Sequence, residues 1–124
     1  MTNKYHVKHV KKGWGREVIF ADSEQYAGKL LSFDKGGEMS MHCHGEKDEC
    51  WYVLSGSFRV STIDQETCEP VGMMLEQGDC WHNPPMFFHR LRALEAGSVI
   101  VEVSTRDSTE DNYRVMPGDS QKRT

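Results

Sequence analysis

The chain has 124 residues and a formal net charge of −4. This length suits one domain with one hydrophobic core, so we treat residues 1–124 as a single unit. Lysine and arginine are scattered along the sequence, which argues against nucleic acid as a partner. No apolar run approaches the roughly 18 residues that cross a bilayer, and no apolar segment follows the basic amino terminus. We therefore expect no membrane partner and a cytoplasmic location.

Short segments rich in valine, isoleucine, phenylalanine and tyrosine alternate with glycine-containing turns, a pattern typical of an all-β domain. No segment holds a helical period for three turns. The nine predicted strands are Arg16 to Ala21, Tyr26 to Phe33, Met39 to His44, Cys50 to Ser55, Phe58 to Ile63, Val71 to Leu75, Asp79 to Asn83, Phe88 to Ala93 and Val99 to Thr105. Nine short strands indicate a closed barrel or a sandwich. We place the barrel at about residues 14–105 and a polar tail, loosely ordered toward its end, at about residues 107–124.

Two turns have distinctive chemistry. The Ser55-Gly56-Ser57 segment separates two alternating runs and is typical of a tight hairpin. The Asn83-Pro84-Pro85 segment lacks amide donors at both prolines, so it predicts an extended entry at the barrel edge, leading into the strand of His89.

The four cysteines, Cys43, Cys50, Cys68 and Cys80, follow no C-x-x-C spacing. We expect them to be reduced, because a chain of this size without a secretion signal has little need of disulfides. Free cysteine most often serves as a small buried hydrophobe, so we predict a structural role for them.

Two histidines, His42 and His44, stand two residues apart in one predicted strand. Side chains at that spacing leave the same face, with Cα atoms roughly 6.6 Å apart, so both imidazoles reach one ion. If Glu49 faces inward, its carboxylate lies opposite these histidines in the same predicted hairpin. His89, on a later strand, supplies a third nitrogen. This donor set leaves an open position and suits one divalent metal ion, with Zn, Mn, Fe, Ni and Co all compatible.

The spacing of these residues carries a family resemblance. From Gly36 there are five residues to His42, one to His44, four to Glu49 and six to Gly56. This order resembles the first cupin motif in full. The resemblance implies an all-β cupin fold, a double-stranded β-helix or jelly-roll-like barrel, with a metal among its inward-facing strands.

The second cupin motif is matched less completely. Gly78, Pro84 and His89 stand at its positions, but Met86 replaces the usual glycine and Ala93 the usual asparagine. These departures concern the turn before His89 and the loop after it.

Further short blocks resemble the phosphomannose isomerase domain of bacterial type II enzymes, which also carry mannose-1-phosphate guanylyltransferase. The sequence departs from that group at His42, where the group has glutamine, and at Lys47, where it has arginine; it also lacks a nucleotidyltransferase domain. The blocks are Gly13-Trp14-Gly15-Arg16-Glu17, Gly28-Lys29-Leu30, Met39-Ser40-Met41, Glu49-x-Trp51, His89-Arg90-Leu91, Glu102-Val103 and Asp111-Asn112-Tyr113-Arg114.

Aldose–ketose isomerisation needs a general base and an electrophile for the enediolate, and a divalent ion supplies the electrophile. Glu102 is either a base inside the barrel or a solvent-facing residue on an outer sheet, and we predict a catalytic set of Glu102, Arg114 and Lys29. Predicted substrate contacts are Arg90, for a phosphate or sugar oxygen, and the aromatic residues Trp51, Phe87 and Phe33, which line a pocket if they face inward.

Three functions compete. The first is a metal-dependent sugar or sugar-phosphate isomerase or epimerase. The second is a mononuclear iron dioxygenase with three histidines and one glutamate, and the third is a non-catalytic cupin that binds a carbohydrate or metal. We adopt the first, with a small-molecule substrate and a homodimeric assembly as its expected partners.

Overall fold

The computed structural model describes residues 2–122. Within this range the chain forms eleven strands and one short 3₁₀ helix, which confirms the all-β prediction. The strands are β1 Lys8–Lys12, β2 Gly15–Asp22, β3 Tyr26–Phe33, β4 Met41–Cys43, β5 Glu49–Ser55, β6 Ser57–Ile63, β7 Pro70–Glu76, β8 Cys80–Asn83, β9 His89–Ala93, β10 Ser98–Thr105 and β11 Tyr113–Met116, and the helix is Asp119–Gln121. The last two residues of the predicted tail, Arg123 and Thr124, lie outside the described residues.

The strands build two antiparallel sheets. One has the order β1-β2-β3-β10-β5-β8, and the other has the order β11-β4-β9-β6-β7. Apolar side chains of both inner faces form one core, including Phe33, Val53, Phe58, Leu91 and Ile100. Ten polar or charged residues of the described range are also buried, and the candidate site lies among them.

The predicted hairpin at Gly56 is wrong, because β5 and β6 belong to different sheets. Gly56 has a φ of +75°, and a Cβ there would stand 2.2 Å from the Ser98 hydroxyl oxygen, so only glycine fits this corner. The chain also changes sheets between β7 and β8 and between β9 and β10. Local turn chemistry predicts where a strand ends but does not decide which sheet receives the next one.

The sequence prediction missed two strands, β1 and β11. In β1 only Val10 and Lys12 are partly buried, and all four residues of β11 are exposed. Without a buried face, neither strand needs the alternating apolar residues by which a strand is recognised in sequence. They are held by pairing instead: β1 with β2, and β11 with β4.

The carboxy-terminal segment is therefore more ordered than predicted. Beyond β11, the Asp119 carboxylate accepts the Glu38 amide hydrogen at 2.8 Å, and the Asp119 amide donates to the Glu38 carbonyl at 2.8 Å. Gly118 packs so closely that a Cβ would stand 2.2 Å from the Ser40 nitrogen. We call residues 107–121 the C-terminal strap. No helix among the described residues is long and apolar enough to cross a membrane.

All four cysteines are free of disulfides. Cys43 is buried, as predicted for a structural thiol, whereas Cys50, Cys68 and Cys80 are exposed. The expectation of burial is wrong for these three, because they lie on outward strand positions or in a turn.

Candidate metal centre

Three histidines converge inside the barrel. His42 lies on β4 and His44 one residue beyond its end, while His89 begins β9 and pairs directly with His42 across the sheet. One ring nitrogen from each lies within 4.8 Å of those of the other two. All three rings are buried, with His89 only 1% exposed.

Backbone carbonyls fix the tautomer of each ring. Nδ1 of His42 contacts the Ser40 carbonyl at 2.8 Å, Nδ1 of His44 the Asp111 carbonyl at 2.6 Å, and Nδ1 of His89 the Phe87 carbonyl at 2.9 Å. A carbonyl only accepts, so each Nδ1 carries the hydrogen and each Nε2 keeps a free lone pair. A partner on the second ring nitrogen is the usual support of a metal-binding histidine.

Burial also keeps the rings of His42 and His44 neutral. It is the main cause that lowers the pKa of His42 to about 3, with the charge that His89 would carry as the next cause. Burial likewise lowers the pKa of His44, although Glu49 partly opposes this. Neutral imidazoles with free lone pairs are the form in which histidine binds a metal.

Glu49 stands beside the histidine group. Its Oε1 lies 2.9 Å from Nε2 of His89 and 4.0 Å from Nε2 of His44. Nε2 of His89 is buried without a hydrogen-bond partner among the described residues, so a lone pair faces a carboxylate oxygen. That arrangement is repulsive unless a proton or a metal cation lies between the two atoms, so the pair is also suited to hold a divalent ion. Glu49 begins β5, so it approaches from the opposite sheet and not from a shared hairpin.

Two residues that the sequence prediction missed hold the Glu49 carboxylate. The Asn83 side-chain amide donates to Oε1 at 3.3 Å, and Lys47 Nζ lies 3.3 Å from Oε2. Burial would raise the pKa of Glu49, but a hydrogen bond from His89, when its Nε2 carries a proton, and the charge of Lys47 hold it well below its usual range. The carboxylate is therefore an anion whose orientation is set from two sides.

A cavity of about 170 Å³ opens beside the histidines. Glu102 lines it and is 5% exposed, so it faces the interior and not solvent. Its Oε1 accepts from Trp51 Nε1 at 3.1 Å, and its Oε2 from Lys47 Nζ at 3.1 Å. Burial and the negative charge of Glu49 raise the pKa of Glu102 to about 7. A carboxyl group with that pKa exchanges protons near neutral pH.

Alternating charges continue from Glu102 along the cavity wall. Lys47 Nζ also contacts Asp107 Oδ1 at 3.1 Å, Asp107 Oδ2 contacts Lys29 Nζ at 2.8 Å, and Lys29 Nζ lies 3.5 Å from Glu17. Burial would raise the pKa of Asp107, but Lys47 and Lys29 lower it to about 2. Burial would lower the Lys47 pKa, but Glu102 and the other carboxylates raise it instead. Lys47, Asp107 and Lys29 are therefore ionised and mutually paired.

The family model for the cupin domain matches residues 29–106, more than half of the sequence. The chain is a cupin. Among curated proteins, no sequence matches it.

Solved structures share the fold of this cupin. Oxalate decarboxylase from Bacillus subtilis is 22% identical with a TM-score of 0.74, over 88% of this chain and 30% of that chain. KdgF from Halomonas sp. is 22% identical with a TM-score of 0.70, over 89% of this chain and 94% of that chain. The capsular polysaccharide assembling protein CapF from Staphylococcus aureus is 14% identical with a TM-score of 0.76, over 91% of this chain and 33% of that chain. The cupin therefore spans about a third of two of these chains and nearly all of KdgF.

In this cupin, Met86 takes the place of the usual glycine and keeps the backbone conformation that glycine favours. Its φ is +66°, in the left-handed region, and its amide donates to the His44 carbonyl at 2.6 Å. The turn that leads to His89 therefore tolerates methionine in a left-handed backbone conformation. The left-handed backbone costs a non-glycine residue of order 1 kcal/mol.

The C-terminal strap completes the site through Asp111 and Arg114. The Asp111 carboxylate accepts amide hydrogens from Gly45 at 2.6 Å, Glu46 at 3.1 Å and Lys47 at 3.0 Å, and its carbonyl orients His44. Arg114 pairs with His42 in the β11–β4 register and lines the cavity at its exposed side. The role of Asp111 was missed because it depends on contacts more than sixty residues apart in sequence.

Three predicted substrate residues do not line the cavity. Phe33 is buried in the core, where its ring stacks on Trp14 with centroids 4.3 Å apart. Arg90 follows His89 and leaves the opposite face of β9, where it donates to the carbonyls of Met39 at 3.0 Å and Pro117 at 2.7 Å. Phe87 contributes its carbonyl to His89, and its ring lies outside the cavity lining. Trp51 does line the cavity, as do Lys29 and Arg114.

Proposed function

We propose that this cupin is a metal-dependent isomerase or epimerase of a small sugar or sugar phosphate. One observation carries the proposal: a buried carboxyl group, Glu102, lines the same small cavity as His42 and His44, two members of the three-histidine group. An electrophile and a proton acceptor on one cavity are the two requirements for moving a proton next to a carbonyl group.

His42, His44, His89 and Glu49 would hold the divalent ion. The Bacillus subtilis oxalate decarboxylase that shares the fold contains Mn(II) centres, and the same donor types suit several first-row metals. When bound, the ion supplies Lewis acidity that polarises a substrate carbonyl.

The chain's own groups move the proton. Glu102 would take the proton from the carbon next to the carbonyl and return it to the former carbonyl carbon, while the hydroxyl proton of the first carbon passes to the former carbonyl oxygen, which exchanges aldose and ketose. Trp51 and Lys47 hold the two carboxylate oxygens at 3.1 Å each, so the base has a fixed position. Lys29 supports this group through Asp107. Fixed donors around a reacting group reduce the reorganisation that the reaction requires.

Arg114 and the cavity size define the substrate. The guanidinium at the exposed side of the cavity suits a phosphate or another anionic group. The cavity of about 170 Å³ is small and opens to solvent, so it suits the reacting end of a small molecule such as a monosaccharide.

Isotope exchange tests the proposal. The metal-loaded protein is incubated anaerobically in D₂O with a panel of free and phosphorylated aldoses and ketoses, and NMR monitors deuterium at the carbons next to the carbonyl. We expect exchange with at least one sugar. Glu102→Gln should lower kcat at least 100-fold, since general-base catalysis contributes about 10²–10⁴, and the matched exposed variant Glu69→Gln should retain activity.

Three results would overturn the assignment. One is no exchange with any sugar in the panel, and the second is turnover that requires oxygen, which indicates a dioxygenase. The third is saturable sugar binding without exchange, which indicates a binding module.

A further inference from the structure

Two exposed cysteines and an exposed histidine share the outer face of β5 and β8, opposite the barrel interior. Cys80 and His82 stand two residues apart on β8, and Cys50 on β5 pairs directly with His82. The barrel histidines have the same arrangement, because His42 and His44 are two apart and His89 pairs with His42. Two donors on one strand and a third directly across from one of them place three ligands on one side of a sheet.

The His82 ring is already oriented by a carboxylate. Its Nε2 lies 2.6 Å from Asp48 Oδ1, and an ionised carboxylate only accepts. Nε2 therefore carries the hydrogen, and Nδ1 keeps the lone pair. A carboxylate that holds the second nitrogen is the usual partner of a metal-binding histidine.

Register favours an ion over a disulfide between the two thiols. Cys50 pairs with His82 and Tyr52 with Cys80, so the cysteines are diagonal neighbours. Diagonal Cα atoms lie about 7–8 Å apart, whereas a disulfide requires less than about 7 Å without backbone movement. In a tetrahedral shell, a metal ion at about 2.3 Å from each sulfur holds the sulfurs about 3.8 Å apart, well beyond the bond length of a disulfide, and so relaxes that limit.

We propose that Cys50, Cys80 and His82 form a second metal site, on the protein surface, for a thiophilic divalent ion such as Zn²⁺. Two thiolates and one imidazole nitrogen bind the ion, and water completes a tetrahedral shell. The exposed side chains rotate to converge, two thiol protons pass to solvent, and no oxidant takes part. The ion joins edge strand β8 to β5, next to the Asn83 and Glu49 pair on the inner face.

Cobalt titration tests this site with the metal alone as the probe. Chelator-treated protein with a phosphine reductant is titrated with Co²⁺, and the thiolate-to-cobalt charge-transfer absorption is followed in the near ultraviolet. We expect one equivalent of thiolate-bound Co²⁺ that Zn²⁺ displaces. Cys50→Ser and Cys80→Ser should each abolish the band, and His82→Asn should weaken cobalt binding about tenfold or more.

Two controls separate this site from its alternatives. Cys68→Ser changes another exposed cysteine and should leave the band intact, while His44→Ala should leave it intact because the barrel site has no thiolate. Thermal unfolding verifies that the serine variants are folded. Absence of the band in the unaltered protein, or its persistence in Cys50→Ser and Cys80→Ser, would overturn the proposal without bearing on the isomerase.

Discussion

Replacing Asp111 should damage both the stability of the barrel and the candidate metal site. Its carboxylate accepts three consecutive backbone amides at 2.6, 3.1 and 3.0 Å from Gly45, Glu46 and Lys47. Hydrogen bonds to a charged group contribute about 1.5–3 kcal/mol each. Neighbouring bonds are not additive and water replaces part of them, so we expect Asp111→Ala to lower the free energy of unfolding by about 2–4 kcal/mol.

The same substitution should weaken metal binding indirectly. The Asp111 carbonyl holds Nδ1 of His44 at 2.6 Å, and its position depends on the carboxylate that anchors the strap. Loss of such an outer partner typically costs 10–100-fold in metal affinity. Isothermal titration with Mn²⁺ or Zn²⁺ measures this effect, and urea unfolding of the metal-free protein measures the stability separately.

Glu110→Ala is the matched control, because Glu110 is an exposed acidic neighbour in the same strap. This control should change neither the free energy of unfolding nor the free energy of metal binding by more than about 0.5 kcal/mol, the usual limit for surface substitutions. Asp111→Ala with the stability and the metal affinity of Glu110→Ala would refute the idea that the strap supports the site.

Three further substitutions test the packing around the cavity. Lys47→Met leaves the carboxylates of Glu49, Glu102 and Asp107 without their shared cation. It should lower the free energy of unfolding, measured in urea, by about 3–5 kcal/mol, and a change below 1 kcal/mol would contradict this pairing. Asp107 has a pKa of about 2, below its unfolded value, so its stabilisation is present above about pH 4 and is lost as pH falls toward 2. Asp107→Asn should remove about 1–2 kcal/mol of that acid-sensitive stability. If the free energy of unfolding depended on pH identically in Asp107→Asn and in the unaltered protein, this contribution of Asp107 would be excluded. Gly118→Ala places a Cβ 2.2 Å from the Ser40 nitrogen and should lower Tm, at a cost of about 1–3 kcal/mol; an unchanged Tm would show that the strap shifts freely.

Local patterns were sufficient to predict the fold class and most strands. Segments rich in β-forming residues between turn signals gave β3 with the correct bounds, Tyr26–Phe33, and all nine predicted strands overlap strands of the structure. Sheet membership was not predictable from the same signal, because Ser55-Gly56-Ser57 suits a hairpin and a sheet-crossing corner equally well. The strands without a buried face, β1 and β11, gave no periodic signal at all.

Residue spacing was sufficient to predict the candidate ligands, but the positions of the groups around them depend on long-range contacts. Glu102 shows the limit, since strand parity left it either inside the barrel or in solvent. Its burial follows from the pairing of β10 with β5, which sets Glu102 directly opposite Trp51. Arg90 illustrates the converse case: its guanidinium suggested a contact with a substrate phosphate or sugar oxygen, but it follows inward-facing His89, and neighbouring residues on a strand leave opposite faces.

The three histidines differ in how far their orientation depends on local sequence. His42 and His89 each bond the carbonyl of the residue two positions earlier, Ser40 and Phe87, so a short segment fixes both rings. His44 instead bonds the Asp111 carbonyl, sixty-seven residues away. The candidate metal centre is thus complete only after β11 has paired with β4. Metal affinity should consequently respond to changes in the C-terminal strap through His44, while His42 and His89 keep their orientation.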